Sequence, residues 1–339
     1  MPELRELTPG NVKEFVIAAG LFDDGAEVRA DELGGGVSNV VLRVRSSERC
    51  VVVKQSLPKL RVAADWPFDQ RRTFVERDCL ALLGRLVPGA VPDVLHCDEA
   101  SFALVISCVP AGGALWKDEL VGGKFDADAA ARAGELLGRI HRLASTDEAA
   151  RERFADQTVL IQGRTDPYHV AAAAAHPELA AAIEVELERL LATRRTLTLG
   201  DYSPKNIFVY PERVVAIDFE VAHWGDPGFD VAFCLTHLTL KSIRFDARHL
   251  TAAQSFWGAY RGTGADALCD EEGLVRELGC LLLARIDGKS PVEYIEAEET
   301  KDTVRALAAR LIAGPGRTVS EALHAVATVA AGKRLTPRV

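Results

Sequence analysis

Nowhere in this sequence do two cysteines form a C-x-x-C pair, and the seven that occur (Cys50, Cys79, Cys97, Cys108, Cys234, Cys269 and Cys280) are widely scattered. That pattern excludes a zinc ribbon or a dithiol redox motif and reads as reduced, mostly buried thiols. No apolar run approaches the roughly 20 residues that span a bilayer. The stretch from Met1 to Gly10 also lacks the basic start and apolar core of a secretory leader. A surplus of positive charge is missing as well: 40 Lys and Arg stand against 49 Asp and Glu, a net charge of −9. Such a balance disfavours phosphate backbones and anionic lipid. There is no internal repeat. These absences point to a cytoplasmic protein with neither nucleic acid nor membrane as partner. What is present is a folded composition, 48% hydrophobic and 26% charged over 339 residues with a mean hydropathy of +0.05, ample for a large core.

Strand-like and helix-like patterns separate along the chain. Thr8 and Pro9 predict a helix start, with Val12, Phe15, Val16, Ala19 and Leu21 on its apolar side. Residues 28–33, 40–44 and 50–53 predict three successive strands, joined by Gly34-Gly35-Gly36 and by Ser46-Ser47-Glu48. Residues 71–86 suit an amphipathic helix, and 91–96 and 103–108 two further strands. Pro110-Ala111-Gly112-Gly113 is the clearest break, so we expect one unit over 1–109 and a second over 110–339. Beyond the break, 129–144, 171–192, 274–286 and 300–312 read as helices, with short strands at 207–209 and 214–217. His141 reads as a hydrogen-bonded packing residue on a helix. Arg164, Asp166, Pro167 and Tyr168 read as a turn before a capped helix, with the Arg and Tyr near an acceptor site as the other reading.

The residues that carry chemistry begin at Gly200-Asp201-Tyr202-Ser203-Pro204-Lys205-Asn206, followed by Asp218-Phe219-Glu220 at the end of an apolar strand. In a D-x-x-x-x-N loop the Asp accepts or orients a substrate hydroxyl proton, and the Asn holds Mg²⁺. Asp218 supplies a second hard oxygen ligand, and Glu220, two residues on in extended chain, points to the same side. Lys205 either neutralises a transferring phosphoryl group or is a solvated loop lysine. Upstream, the backbone N–H groups of the Gly34-Gly35-Gly36-Val37-Ser38-Asn39 turn suit a nucleotide's phosphates. Lys54, after Val51-Val52-Val53, is aimed as a phosphate-binding strand lysine, and Glu76 in the next helix is its candidate ion-pair partner. Glycine turn, strand lysine, helix glutamate, break, D-x-x-x-x-N loop and strand-borne Asp occur in the order in which a kinase-like fold uses them.

With those motifs, the chain resembles the aminoglycoside phosphotransferase family from Leu33 to about Tyr294, and within it the 5-methylthioribose kinases. That closer similarity rests on Leu33 to Asn39, Val53 to Pro58, Trp66-Pro67, Asp218-Phe219-Glu220 and Gly225 to Asp230. The resemblance implies an α+β, bilobal, protein-kinase-like fold, with a small antiparallel β-sheet N-lobe and a larger, mainly helical C-lobe. It implies that Ser107 and Val109 offer hinge backbone groups to adenine, that Glu220 joins the metal site, and that Trp66 belongs to a loop near the nucleotide. It further implies that Asp230 braces the catalytic loop and that Arg285 falls where such enzymes meet their sugar. Two departures stand out: Leu199 occupies the place of a usual histidine, and an arginine pair is replaced by Ala284-Arg285. There is also no Asp-Phe-Gly and no Ala-Pro-Glu of a protein kinase.

The sequence thus predicts an ATP- and Mg²⁺-dependent kinase acting on a hydroxyl of a sugar-like small molecule. Asp201 would be catalytic; Gly34, Gly35, Gly36, Ser38, Asn39, Lys54, Glu76, Ser107 and Val109 would hold the nucleotide. Asn206, Asp218 and Glu220 would hold the metal, and Asp201, Lys205 and Arg285 would meet the acceptor. An aminoglycoside or amino-sugar kinase and a catalytically silent nucleotide-binding module are the alternatives, and a homodimer is left open.

Overall fold

The computed structural model describes residues 5–34, 38–61, 66–314 and 318–332. The chain divides into two compact units, Met1–Ala111 with Phe219–Val221, and Gly112–Asp218 with Ala222–Val339. The sequence reading assigns all of 110–339 to one lobe, whereas this division places the short segment Phe219–Val221 with the first unit.

The first unit is built on an antiparallel sheet of β1 (Arg29–Glu32), β2 (Asn39–Arg45), β3 (Cys50–Ser56), β4 (Val94–Asp98) and β5 (Ala103–Ser107), ordered β1-β2-β3-β5-β4. The period-2 alternation turns Val40, Leu42 and Val44 of β2, Val51 and Val53 of β3, and Val105 of β5 toward one apolar core. Val12 and Val16 of helix α1 (Val12–Ala18) are fully buried in it. Such a valine contributes roughly 1.5–3 kcal/mol by leaving water. Helix α2 (Arg72–Leu86) follows β3 and buries Cys79, Leu80, Leu82 and Leu83.

In the second unit, the helices Ala127–Ala144, Pro227–Arg244, His249–Gly262 and Glu271–Asp287 surround a buried apolar interior. The helix Pro227–Arg244 is buried along nearly its whole length, from Pro227 to Ser242. Two small antiparallel sheets sit with it: Thr196–Thr198 pairs with His223–Gly225, and Ile207–Val209 lies between Ala114–Leu115 and Val214–Ala216.

Four expectations are corrected. Helix α1 begins at Val12 rather than near Thr8, because the Thr8 carbonyl closes a turn onto the N–H groups of Asn11 and Val12 while Asn11 Oδ1 accepts the Thr8 N–H at 2.8 Å. The expected helix over 171–192 is broken into Ala171–Ala175 and Ala180–Ala192, since Pro177 has no N–H and forces the residue before it out of helical geometry. The expected turn at Arg164–Tyr168 is instead part of a wide, π-type helical segment, Ile161–Val170, that contains Pro167. The cysteines are not all thiols. The β3–β5 register pairs Val51 with Ser107, which sets Cys50 opposite Cys108 with Cα atoms 5.6 Å apart, and the two form a disulfide.

Candidate active site

In the first unit, the β3 alternation sends Lys54 to the face opposite Val51 and Val53. There its Nζ lies 2.6 Å from Glu76 Oε1, the carboxylate of α2, with both side chains almost wholly buried. Phe219 N–H donates to the same Oε1 at 3.4 Å. Of the glycine turn, Gly34 is described, while Gly35 and Gly36 lie outside the described residues. Ser38 Oγ donates to Glu220 Oε1 at 2.7 Å, and Asn39 Nδ2 to Glu220 Oε2 at 2.8 Å. Arg72, fully buried at the start of α2, adds a third donor to Glu220 at 3.1 Å and also bonds the carbonyls of Ser38, Leu57, Phe68 and Asp69. Glu220 is therefore a hub that fixes the end of the glycine turn. Oε2 takes two of the three donors and Oε1 takes one, so Oε1 keeps a lone pair with which it could ligate a cation. Ser107 ends β5; its N–H donates to Asp93 O and its Oγ accepts the Asp93 N–H, both at 2.9 Å, and Val109 follows just past the disulfide.

In the second unit, Asp201 is held in a loop between Thr196–Thr198 and Ile207–Val209. Its Oδ2 accepts from Arg164 Nη2 at 3.0 Å, Lys205 Nζ at 2.8 Å and Asn206 Nδ2 at 3.0 Å. Its Oδ1 is buried with no hydrogen-bond partner among the described residues. One oxygen is thus anchored by three donors, and the other is buried and unpaired among the described residues. Asn206 Nδ2 also bonds the Asp201 carbonyl at 3.0 Å, leaving Asn206 Oδ1 as its only atom able to ligate a cation. The Ile217 N–H donates to Asn206 O at 2.9 Å, which brings the hairpin back beside the loop and delivers Asp218. Asp218 has φ +71°, a left-handed backbone that a non-glycine residue rarely adopts and that a surrounding structure must impose. Strain of this kind collects at functional sites.

The loop is braced from below. Asp230 accepts the N–H groups of Leu199 at 2.6 Å and Gly200 at 2.7 Å, and His141 Nε2 lies 3.1 Å from Asp230 Oδ2 with Tyr260 Oη 2.9 Å from Nδ1. Leu199 itself is buried. Its backbone N–H is one of the two that Asp230 accepts, so the loop is held there through the main chain. Arg285 reaches the same neighbourhood through Tyr168: Arg285 Nη1 donates to Tyr168 Oη at 3.2 Å, and Arg164, which bonds Asp201, lies 5.8 Å from the Tyr168 ring. A cavity of about 310 Å³ opens on the other side of Arg285, between Ile286, Pro291, Val292, Ile295 and Glu296.

The phosphotransferase enzyme family model matches residues 29–265, more than half of the chain. The chain belongs to that family. The methylthioribose kinase of Yersinia enterocolitica is 29% identical over 270 residues, covering 71% of this chain and 67% of that protein. The Bacillus cereus methylthioribose kinase is 23% identical over 353 aligned positions, covering 88% of each. The match to the Yersinia proteins spans about two thirds of their length. A solved ethanolamine kinase from Plasmodium vivax is similar in fold, with a TM-score of 0.53 and 11% identity, covering 94% of this chain and 86% of that one. The α+β kinase-like fold expected from the sequence is the fold of this phosphotransferase.

Three residues of this phosphotransferase escaped the sequence reading. Arg72 is one charge among several at the start of an amphipathic helix, and only folding reveals its six acceptors, Asn39 Oδ1 among them. Arg164 was read within a turn, although the Arg-x-Asp-Pro-Tyr spacing did suggest an acceptor site as the second reading. His141 was read as a packing or hydrogen-bonded histidine; what that reading lacked is its partner, Asp230, which holds the Leu199 and Gly200 N–H groups.

Proposed function

We propose that the protein is an ATP-dependent kinase that transfers the γ-phosphoryl group to a hydroxyl of a sugar-like small molecule, methylthioribose or a relative of it. The observation that carries this reading is Asp201: one carboxylate oxygen is fixed by Arg164, Lys205 and Asn206, and the other is buried and unpaired. In the proposed reaction Oδ1 accepts the proton of the acceptor hydroxyl as that oxygen attacks the γ-phosphorus. The bond to the β,γ-bridging oxygen breaks and ADP leaves. Lys54, held by Glu76, meets the nucleotide phosphates. The glycine turn with Ser38 and Asn39 covers them, and the backbone of Ser107 and Val109 takes the adenine. Lys205, already on Asp201, is placed to neutralise the transferring group.

Asn206 Oδ1 and Asp218 are hard oxygen donors that fit Mg²⁺, with Glu220 available through the remaining lone pair of Oε1. Among the described residues no group of three or more His, Cys, Asp or Glu forms a metal cluster. That accords with a cation that takes one or two protein oxygens and completes its shell with phosphates and water. When bound, the ion neutralises the phosphate charge. All the residues named come from one chain, so the reading needs no second copy. No helix among the described residues is long and apolar enough to cross a membrane. A cytoplasmic location, where ATP is supplied, belongs to the proposal, and there Cys50 and Cys108 would stand as a dithiol.

The test is Asp201→Asn assayed for ADP release with methylthioribose and a panel of sugars. We expect kcat to fall ~10²–10⁴-fold with ATP affinity little changed. A variant that turns over at the wild-type rate would remove Asp201 from the chemistry. Tight ATP binding by a wild-type protein that phosphorylates no acceptor would favour a silent binding module.

A further inference from the structure

Among the described residues, the buried cations Arg72 and Lys54 lie on the carboxylates of Glu220 and Glu76, and the half-buried Arg189 and Arg276 on those of Glu186 and Asp226 and of Glu186 and Glu272. Lys241 is different. It is 1% exposed, its Nζ has a single hydrogen bond of 3.4 Å to the His237 carbonyl of its own helix, and it lies 5.2 Å over the Tyr294 ring with no carboxylate beside it. An ammonium so placed lacks the counter-charge that burial demands.

The surroundings of Lys241 lead back to Asp201. His237, one turn earlier on the helix Pro227–Arg244, packs against Phe233 at 5.3 Å. Phe233 stacks on Tyr168 at 6.1 Å, and both rings lie under Arg164, whose other nitrogen bonds Asp201. Phe233, His237 and Lys241 therefore form an i, i+4 stripe running away from the catalytic carboxylate. Burial, then the positive charges of Arg285, Lys241, Lys205 and Lys117, hold the His237 imidazole well below its ordinary range, and so neutral. Two more donors wait there, since Arg285 Nε and Tyr294 Oη are buried with no hydrogen-bond partner among the described residues. Asp201, the carboxylate of this neighbourhood, is already matched by Arg164 and Lys205.

We propose that the acceptor carries an acidic group, a carboxylate or a phosphate monoester, which binds between Lys241, Arg285 and Tyr294 while its hydroxyl faces Asp201. This rests on the kinase reading above and, within its sugar-like acceptors, replaces neutral methylthioribose by an acidic relative. An anion at Lys241 supplies the missing counter-charge and accepts from the two idle donors at once. A neutral sugar leaves the ammonium unpaired.

The experiment uses the full chain with four probes: ribonate, ribose 5-phosphate, ribose and methylthioribose. Steady-state ADP release is expected to favour ribonate or ribose 5-phosphate over the neutral pair by about tenfold or more in kcat/KM, the strength of a charge-assisted contact. Which of the two acids is preferred separates carboxylate from phosphate recognition. Lys241→Met, close in volume and free of charge, should shrink that acid-over-neutral ratio by about tenfold. In parallel, thermal unfolding without ATP should show wild-type Tm raised by the acidic probe and Lys241→Met unresponsive. If turnover favours methylthioribose and Lys241→Met leaves the ratio unchanged, the inference is wrong. If no probe is phosphorylated but the acidic one still raises Tm through Lys241, the anion site stands and the kinase reading falls. If Tm is indifferent to the acidic probes and none of them turns over, the anion site falls.

Discussion

Arg164 shows how one side chain can set the geometry of a loop it does not belong to. Its Nη2 fixes Asp201, its Nε bonds the Gly200 carbonyl at 2.7 Å, and its plane covers Tyr168 and Phe233. Arg164→Leu should lower kcat ~10–100-fold by letting Asp201 swing, with a smaller effect on the KM for ATP. Steady-state kinetics in both substrates checks this, and an equal rise in KM with unchanged kcat would argue against it. Lys241 makes a second prediction. Burial, then the positive Lys117 and Arg285, lower it to about 7, opposed only by the Cys234 thiol. In the unfolded chain it returns to ~10.4, so between these values the unfolded state holds the extra proton and stability rises with pH. Below about pH 7 the lysine is charged in both states and the folded chain carries the whole cost. Lys241→Met should therefore raise Tm most at neutral and mildly acidic pH, with the gain fading toward pH ~10. Thermal melts across that range are the check; an unchanged pH slope would reveal a hidden counter-charge. At this scale the contacts legible in the sequence were those tied to short spacing, such as Asp201 with Asn206, and the pairing of the strand residue Lys54 with Glu76. The sequence could not disclose Arg72 or Arg164, whose partners are brought to them only by folding.

Secondary structure elements were legible where periodicity was strong and obscured where a local competitor won. The strands from Arg29 to Ser56 and the helix Arg72–Leu86 lie within a residue or three of where alternation and amphipathicity place them. Pro177 broke an alanine-rich helix that propensity alone would have continued, and Asn11 captured the helix start from Thr8. Close approach between elements is also invisible in a pattern of apolar residues. A Cβ added at Gly134, in the helix Ala127–Ala144, would stand 2.1 Å from the Phe256 carbonyl oxygen of the helix His249–Gly262. That neighbour is backbone and has no rotamer to yield. Gly134→Ala should therefore cost ~1–3 kcal/mol by pushing the helix pair apart, despite alanine's better helix propensity. Chemical denaturation of the variant measures it, and a neutral or stabilising result would mean the helices do not touch there.

For the whole molecule, the net charge of −9 concealed a local excess of the opposite sign around His237, on which Lys117, Lys205, Lys241 and Arg285 act. The disulfide was equally hidden, since only the β3–β5 register sets two cysteines 58 positions apart opposite each other. The first unit is not continuous in sequence, because its Glu220 lies far beyond residue 111. A fragment of residues 1–111 keeps Arg72 but loses the carboxylate that Arg72, Ser38 and Asn39 share. Stranding that buried guanidinium should cost ~3–5 kcal/mol, much of a domain's total stability. The fragment should melt without a cooperative transition. A peptide spanning 214–224 should restore one, and the same peptide with Glu220→Gln should not; a cooperative melt of the bare fragment would refute the argument.

That discontinuity also sets a timetable. Domains ordinarily fold as units during synthesis, the N-terminal one first. Here the first 111 residues leave the ribosome with their five strands complete and their central arginine unmatched, and the residue that matches it is number 220 of 339. The first unit must wait, partly assembled, while roughly a third of the chain is translated. Its completion therefore depends on how quickly the ribosome crosses the second unit's sequence, as well as on its own strand pairing.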